Sequence, residues 1–217
     1  MKRARSDEAK QERRGEIMAT AWAMYNRAPS FAAFTMSALA AEVGLAKGTL
    51  YLYFRTKEAL FLALLDELFG AWFTALDARL DADSGAWTAA RAADEVVASV
   101  RGRGGLVRLL AILPTIVEHN VEFDAALAFK RRVVTRAAET GRRLEARLPW
   151  MVDGQGARFL VDLHALVIGV WQLAEPSAVI RRVMERPEME PARVDFERDL
   201  RRLCQALLTG MRAGDSG

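Results

Sequence analysis

Eleven residues near the N-terminus, GLAKGTLYLYF at 44–54, bring together an ammonium (Lys47), an aliphatic hydroxyl (Thr49), two phenols (Tyr51 and Tyr53) and a position with no side chain (Gly48). The mixture is too polar at its start for a core segment and too aromatic for an ordinary loop. What it fits is contact with an anionic polymer. Lys47 neutralises a phosphate or reaches a guanine edge, Thr49 contacts a base or a phosphate, the Tyr hydroxyls bond phosphate, and Gly48 permits close approach.

Other chemistry finds little support. His119, His164 and Cys204 are the soft ligands of the chain, far apart and without the paired spacing of metal sites, so no metal is expected. There is no glycine-rich phosphate loop and no GxSxG elbow, and carboxylates such as Asp124, Asp153 and Asp162 are scattered. The reading is of a protein that is not an enzyme and needs no cofactor.

The elements that must hold the 44–54 segment are legible around it. After a charged arm at 1–12, Ile17, Met18, Ala21, Trp22 and Tyr25 recur at helical spacing and stop before Pro29. Thr35 is placed to cap a second helix running to Gly44, with Met36, Leu39, Ala40 and Val43 on one face. A third, from about Lys47 to Phe54, follows after three residues, and Thr56 caps a fourth that is long and apolar on more than one side. Helices two and three have the spacing of a helix-turn-helix: Ala40 lets them approach, Gly44 takes a left-handed backbone, and Leu39, Val43, Leu45 and Leu50 pack the pair. The polar residues then face outward from the helix of the motif that enters a major groove.

Further on, turns at 81–88 and 102–105 bracket a helix of roughly 88–101. Leu106 to His119 is interrupted by Pro114, Glu122 to Leu148 is ended by Pro149, and Gly156 to Ala174 stops before Pro176. Residues 185–195 read as a proline-rich connector before a last helix from about Val194 to Met211. Strand-like runs are missing, so the expected fold is all-α: an N-terminal three-helix DNA-binding domain and a C-terminal helical bundle, divided as 1–60 and 61–217.

Composition sets wider bounds. The chain has 217 residues, of which 52% are apolar, enough for a buried core. Its net charge is only +3, but residues 1–60 hold ten Lys or Arg against six acids, which places the basic character at the N-terminal end. A single cysteine excludes an internal disulfide, the charged start excludes a signal sequence, and the longest apolar run, Phe159 to Ala174, is short for a bilayer, so a cytoplasmic protein with no membrane span is expected.

Thr35, Leu39-Ala40-x-x-Val43-Gly44 and Lys47-Gly48-Thr49-Leu50-Tyr51-x-Tyr53-Phe54-x-x-Lys57-x-x-Leu60 together make the chain resemble the TetR family of bacterial transcriptional regulators, over about residues 15–62. The resemblance implies that Thr35 and Ser37 contact DNA from helix two, that Lys47, Thr49, Tyr51 and Tyr53 act from the recognition helix, and that Lys57 meets a phosphate. Leu50 and Phe54 would be internal packing. Two departures concern local contacts: Ala46 stands where the family often has a capping Ser or Thr, and Ala28 to Phe34 is a residue or two longer than usual.

The same resemblance implies that the larger C-terminal domain binds a ligand and dimerises. Bulky residues expected to face an apolar pocket are Phe69, Trp72, Phe73, Leu113, Ile116, Val117, Phe123, Phe129, His164 and Trp171, each with ordinary core as its plain alternative. On the 159–174 helix, Phe159, Leu163, Leu166 and Val170 form one stripe, and Leu160, His164, Val167, Ile168 and Trp171 another, so both sides must be covered. With Phe196, Leu200, Leu203 and Leu207 of the last helix, the first stripe is expected to form a four-helix interface between two copies. The function expected is a homodimeric repressor on a palindromic double-stranded DNA operator, released by a small hydrophobic effector whose identity the sequence leaves open. The alternative is a helical binding or scaffold protein with a non-functional DNA head.

Overall fold

A computed structural model describes residues 2–28, 30–82, 84–114 and 121–214. Ten α-helices are described there: α1 (Lys2–Arg27), α2 (Met36–Glu42), α3 (Lys47–Tyr53), α4 (Lys57–Asp81), α5 (Ala89–Val100), α6 (Gly104–Ala111), α7 (Phe123–Arg147), α8 (Gln155–Ala174), α9 (Ala178–Met184) and α10 (Phe196–Gly214), with a 3-10 helix at Pro187–Ala192. There is no strand among the described residues, in keeping with the all-α expectation. The chain divides into two compact units, residues 1–66 with 114–129 and residues 67–113 with 130–217.

In the first unit, Ile17, Met18, Ala21 and Tyr25 form the buried stripe of α1, while Trp22 is only half-buried. Phe61 of α4 is the hub: Tyr25, Phe31 and Phe34 meet its ring edge-on at 5.2, 4.9 and 4.9 Å between centroids. The segment expected to be an arm is instead the start of α1, which is continuous from Lys2. Residues 2–16 are rich in Arg, Lys, Glu, Gln and Ala, all good helix formers, and they extend the anchored helix without needing a nucleus of their own.

In the second unit, Thr88 caps α5, its hydroxyl oxygen accepting from the Arg91 amide, and α5 buries Ala92, Ala93, Val96, Val97 and Val100. Helix α10 packs on α5 and α8, and α6 packs on α8. Arg101, just past the end of α5, holds Glu197 of α10 with both its Nε and Nη2, and Arg201 pairs with Asp94. The stripe that α10 buries most deeply is Leu200, Cys204 and Leu208; Phe196, Leu203, Leu207 and Met211 are half-buried. Among this packing the Cys204 thiol is fully enclosed, and burial pushes its pKa up to about 12.

Helices α7 and α8 cross with almost nothing between them. A Cβ on Gly141 would stand 2.4 Å from the Ala157 amide nitrogen, and one on Gly156 would stand 2.2 Å from the Gly141 carbonyl oxygen. The Gly156 amide donates to Glu145 Oε1 at 2.8 Å across the same crossing. Nearby, the carboxylate of Asp77 is buried between α4 and α7, accepting from Thr140 Oγ1 at 2.6 Å and from Arg136 Nη2 at 2.8 Å.

The connector at 185–195 is more structured than its prolines suggest. It begins after the seven-residue α9 and contains the 3-10 helix, with Pro187 in the first turn, where a missing amide hydrogen does no harm. The Arg193 guanidinium gathers the carbonyls of Met184, Glu185 and Arg186. Two helices, α4 and α8, are long and apolar enough by length and composition to cross a bilayer, although Phe159 to Ala174 was read as too short. The apolar residues of α4 line the interior of the protein; those of α8 are divided between its interior and an exposed face.

Candidate functional site

The geometry of the DNA-facing segment follows from three local devices. Thr35 stands in extended backbone (φ −126°, ψ 144°) and its Oγ1 accepts from the Ala38 amide at 3.2 Å, which fixes where α2 begins. Gly44, at φ +66°, then turns the chain out of α2: the Leu45 amide donates to the Ala40 carbonyl at 2.9 Å and the Gly44 amide to the Ala41 carbonyl at 3.2 Å, the paired bonds of a Schellman ending. Helix α3 starts three residues after Gly44, at Lys47, with no side-chain cap from Ala46. Leu39, Ala40, Leu50 and Phe54 are buried beneath the pair, and the Arg14 guanidinium of α1 lies 4.8 Å above the Phe54 ring.

This packing turns Thr35, Ser37, Lys47 and Gly48 outward, leaves Tyr51 exposed, and half-buries Thr49 and Tyr53. No atom lies within 4 Å of where a Gly48 Cβ would be, so the surface is open there. Lys47 Nζ is 6.0 Å from the Tyr51 ring centroid, a loose contact that leaves the ammonium free to reach out. Thr35 uses its oxygen as an acceptor inside the cap, and its hydroxyl proton remains to donate outward.

Lys57, at the head of α4, is engaged within the chain: its Nζ donates to the carbonyls of Phe31 and Phe34 at 2.7 and 3.0 Å. Leu52, by contrast, is 80% exposed on α3 and was overlooked in the sequence. Among three aromatics it reads as packing, and only the phase of α3, set by buried Leu50 and Phe54, shows that it points away.

In the second unit, Phe69, Trp72, Phe73 and His164 form one cluster. Phe69 stacks on His164 at 6.4 Å and on Phe73 at 6.1 Å, and Trp72 lies 4.8 Å from Phe73. The Trp72 indole donates to Ser99 Oγ at 3.0 Å, and the Ser99 hydroxyl in turn donates to the Val96 carbonyl at 2.6 Å, so the ring is pinned and its polar edge is occupied. Leu113 is buried in the same unit.

Trp171 belongs elsewhere: its ring meets Phe196 edge-on at 5.4 Å and closes over Gly104, because it emerges from α8 toward α6 and the start of α10. Phe123 is corrected more sharply. It is 76% exposed at the first turn of α7 and does not face inward, whereas Phe129 is buried. Ile116 and Val117, like His119, lie outside the described residues. Among the described residues no group of three His, Cys, Asp or Glu could hold a metal ion.

Burial lowers the His164 pKa below its ordinary value near 6.5, and Lys130 adds to the effect. The unfolded chain therefore holds the proton more readily, so this group's contribution favours folding above pH 6.5 and is lost as pH falls through the lowered folded value. Urea titrations from pH 7 to 5 should show His164→Gln losing less stability on acidification than the wild type; parallel losses would remove His164 from the effect.

The expected dimer stripe also needs correction. Phe159, Leu163 and Val170 are buried within the chain itself, as is Leu200, and Leu166, Leu203, Leu207 and Phe196 are half-buried. The face that α8 leaves exposed is Val161, Ala165, Gly169 and Leu173, at steps of four, with Val161 56% and Leu173 65% exposed. Both apolar stripes of α8 are covered by the chain itself, Leu160 and Val167 being buried as well as Phe159 and Leu163, and the exposed face is a third one.

Comparison with known families bears on both parts of the chain. Residues 17–64 match the model described as bacterial regulatory proteins, tetR family, and residues 66–215 match the tetracyclin repressor-like C-terminal domain. No curated protein matches the chain. With a helix pair presenting an outward lysine and hydroxyls in the first matched segment, and an all-helical unit in the second, the chain belongs to the TetR family of bacterial transcriptional regulators.

Proposed function

We propose that the protein is a cytoplasmic, homodimeric, ligand-responsive repressor. Residues 1–60 serve as the DNA head and residues 61–217 as the effector and dimerisation domain. The observation that carries the reading is the outward face made by Thr35, Ser37, Lys47, Gly48 and Tyr51 on two helices whose junction is locked by Gly44. Half-buried Thr49 and Tyr53 border that face, and exposed Leu52 supplies an apolar contact for a thymine methyl group. One short recognition helix reads few bases, so a pair is required, on half-sites about 34 Å apart or a multiple of that.

The dimer forms through the exposed α8 face together with the small residues Ala206, Thr209, Gly210 and Ala213 of α10, which permit close helix approach. Ala165→Arg is the direct test, since it adds a charge at a position already exposed in the single chain. Sedimentation should show a monomer, and operator affinity should fall at least tenfold; an unchanged dimer would place the interface elsewhere.

The effector is a small hydrophobic molecule lodged against the Phe69, Trp72, Phe73 and His164 cluster. Helix α4 is the lever, because it starts at Lys57 and carries Trp72 and Phe73, and the effector can act only by binding one of two conformations better than the other. Release from DNA on binding is the family's commoner mode. The function is tested by fluorescence anisotropy of the DNA flanking the protein's own gene at two salt concentrations. Tight, sequence-selective binding that weakens steeply with salt is expected, and weak binding indifferent to sequence would count against the reading.

A further inference from the structure

We propose that Lys57 is a positioning residue of the DNA head, whose ammonium clamps the turn before α2 and so sets where Thr35 and Ser37 stand, and that it is not a phosphate ligand. The inference rests on the DNA-binding reading above.

The turn is gripped by two kinds of contact. Its carbonyls at Phe31 and Phe34 accept from Lys57 Nζ at 2.7 and 3.0 Å, and the ammonium sits 3.8 Å above the Phe31 ring centroid. The rings of the same two residues stand edge-on to Phe61, one turn further along α4, at 4.9 Å each. Within the turn, Ser30 Oγ accepts from the Ala33 amide at 3.3 Å. Phe34 is the residue immediately before Thr35, so the carbonyl that Lys57 holds belongs to the peptide that leads into the α2 cap. A shift of that peptide moves Thr35 and the whole first turn of α2.

An ammonium has three donors, and here two are spent on carbonyls while an aromatic face covers part of the rest. Only the third N–H is left for a phosphate, and swinging the ammonium outward to meet one would give up both carbonyl bonds, leaving the Phe31 oxygen with the Phe34 amide at 3.2 Å. The surroundings agree with an ammonium drawn partly out of water: burial lowers the Lys57 pKa, with Glu58 opposing the shift in part.

The test uses the full chain with Lys57→Met, which keeps a long apolar stem without charge, and Lys57→Arg, which keeps charge but brings a planar fork. Melting temperature is measured on the free protein, and operator affinity is measured over a salt series. The clamp predicts a lowered melting temperature for Lys57→Met and an affinity lowered tenfold or more, with a log–log salt slope equal to the wild type's, and no restoration by arginine. A phosphate ligand predicts the reverse. The slope would become shallower by about two for a dimer carrying the change twice, melting would be unaltered, and Lys57→Arg would bind as well as wild type; that pattern overturns the proposal.

Should Lys57→Met fail to fold, the amide NMR shifts of Thr35 and Ser37 in free Lys57→Arg decide, since the clamp requires them to move and a phosphate ligand leaves them in place. The same shifts separate the two hypotheses if wild-type protein binds no duplex. That result would sink the DNA-binding reading, and unmoved shifts would sink the clamp.

Discussion

Lys47→Ala should lower operator affinity by at least thirtyfold at moderate salt, with little change in the stability of the free protein. Lys47 is exposed at the first turn of α3, makes only a loose contact with Tyr51, and supports nothing beneath it. Its loss is therefore felt in the complex. A good contact to a base edge is worth about 1–3 kcal/mol, and a two-fold dimer loses it twice, so about 2–6 kcal/mol is at stake. The form of the loss also assigns the partner. If Lys47 meets a phosphate, binding weakens on every sequence and the salt slope becomes shallower by about two. If it reads a guanine, the slope holds and selectivity at one base pair of each half-site relaxes. Anisotropy titrations on the operator and on single-base variants separate these outcomes, and unchanged affinity would remove Lys47 from the interface.

Gly156→Ala should destabilise the protein by about 3 kcal/mol or more, an unusual loss for one methyl group. Overpacking a core typically costs about 1–3 kcal/mol because side chains can turn aside. Here the obstacle is the Gly141 carbonyl oxygen, 2.2 Å from the new Cβ, and backbone in the middle of α7 can yield only by moving the helix. Parting the helices would also stretch the bond from the Gly156 amide to Glu145. Gly141→Ala meets the Ala157 backbone in the same way, so the double variant should cost less than the sum of the singles, since helices parted once already have room for the second methyl. Gly70→Ala, in helical backbone with open space around it, should instead stabilise by about 0.4–1 kcal/mol. Urea unfolding of the four variants beside the wild type checks this, and a Gly156→Ala loss below about 1 kcal/mol would show that the crossing is soft.

These two cases mark what the sequence could tell a reader. Thr35, Gly44, Thr56 and Thr88 act on atoms three or four residues away, so the caps and turns that frame α2, α3, α4 and α5 were readable from local chemistry. Gly141 and Gly156 were silent, because a glycine inside a helix announces nothing until the opposing helix is known. The contacts of Lys57 were silent for a related reason: a lysine at a helix start looks solvated, and its two carbonyl partners lie 26 and 23 residues earlier. Helix α8 misled through excess: both of its apolar stripes are covered by its own chain, and the face left exposed, Val161, Ala165, Gly169 and Leu173, is too mixed in size to stand out. The short α9 and its 3-10 neighbour were missed because seven residues with none buried give periodicity nothing to register.

The enclosure of Cys204 has a consequence for redox chemistry. Oxidants and electrophiles attack the thiolate, and a thiol with a pKa of about 12 is ionised in only about one molecule in 10⁵ at pH 7. The chain has no other cysteine to resolve a sulfenic acid or to close a disulfide. A native regulator of this design is therefore blind to peroxide through its own sulfhydryl chemistry. A cysteine introduced on the outer face of α3 would be the one thiol within reach of a maleimide, so a probe could be placed at the DNA surface without first removing Cys204 from the core.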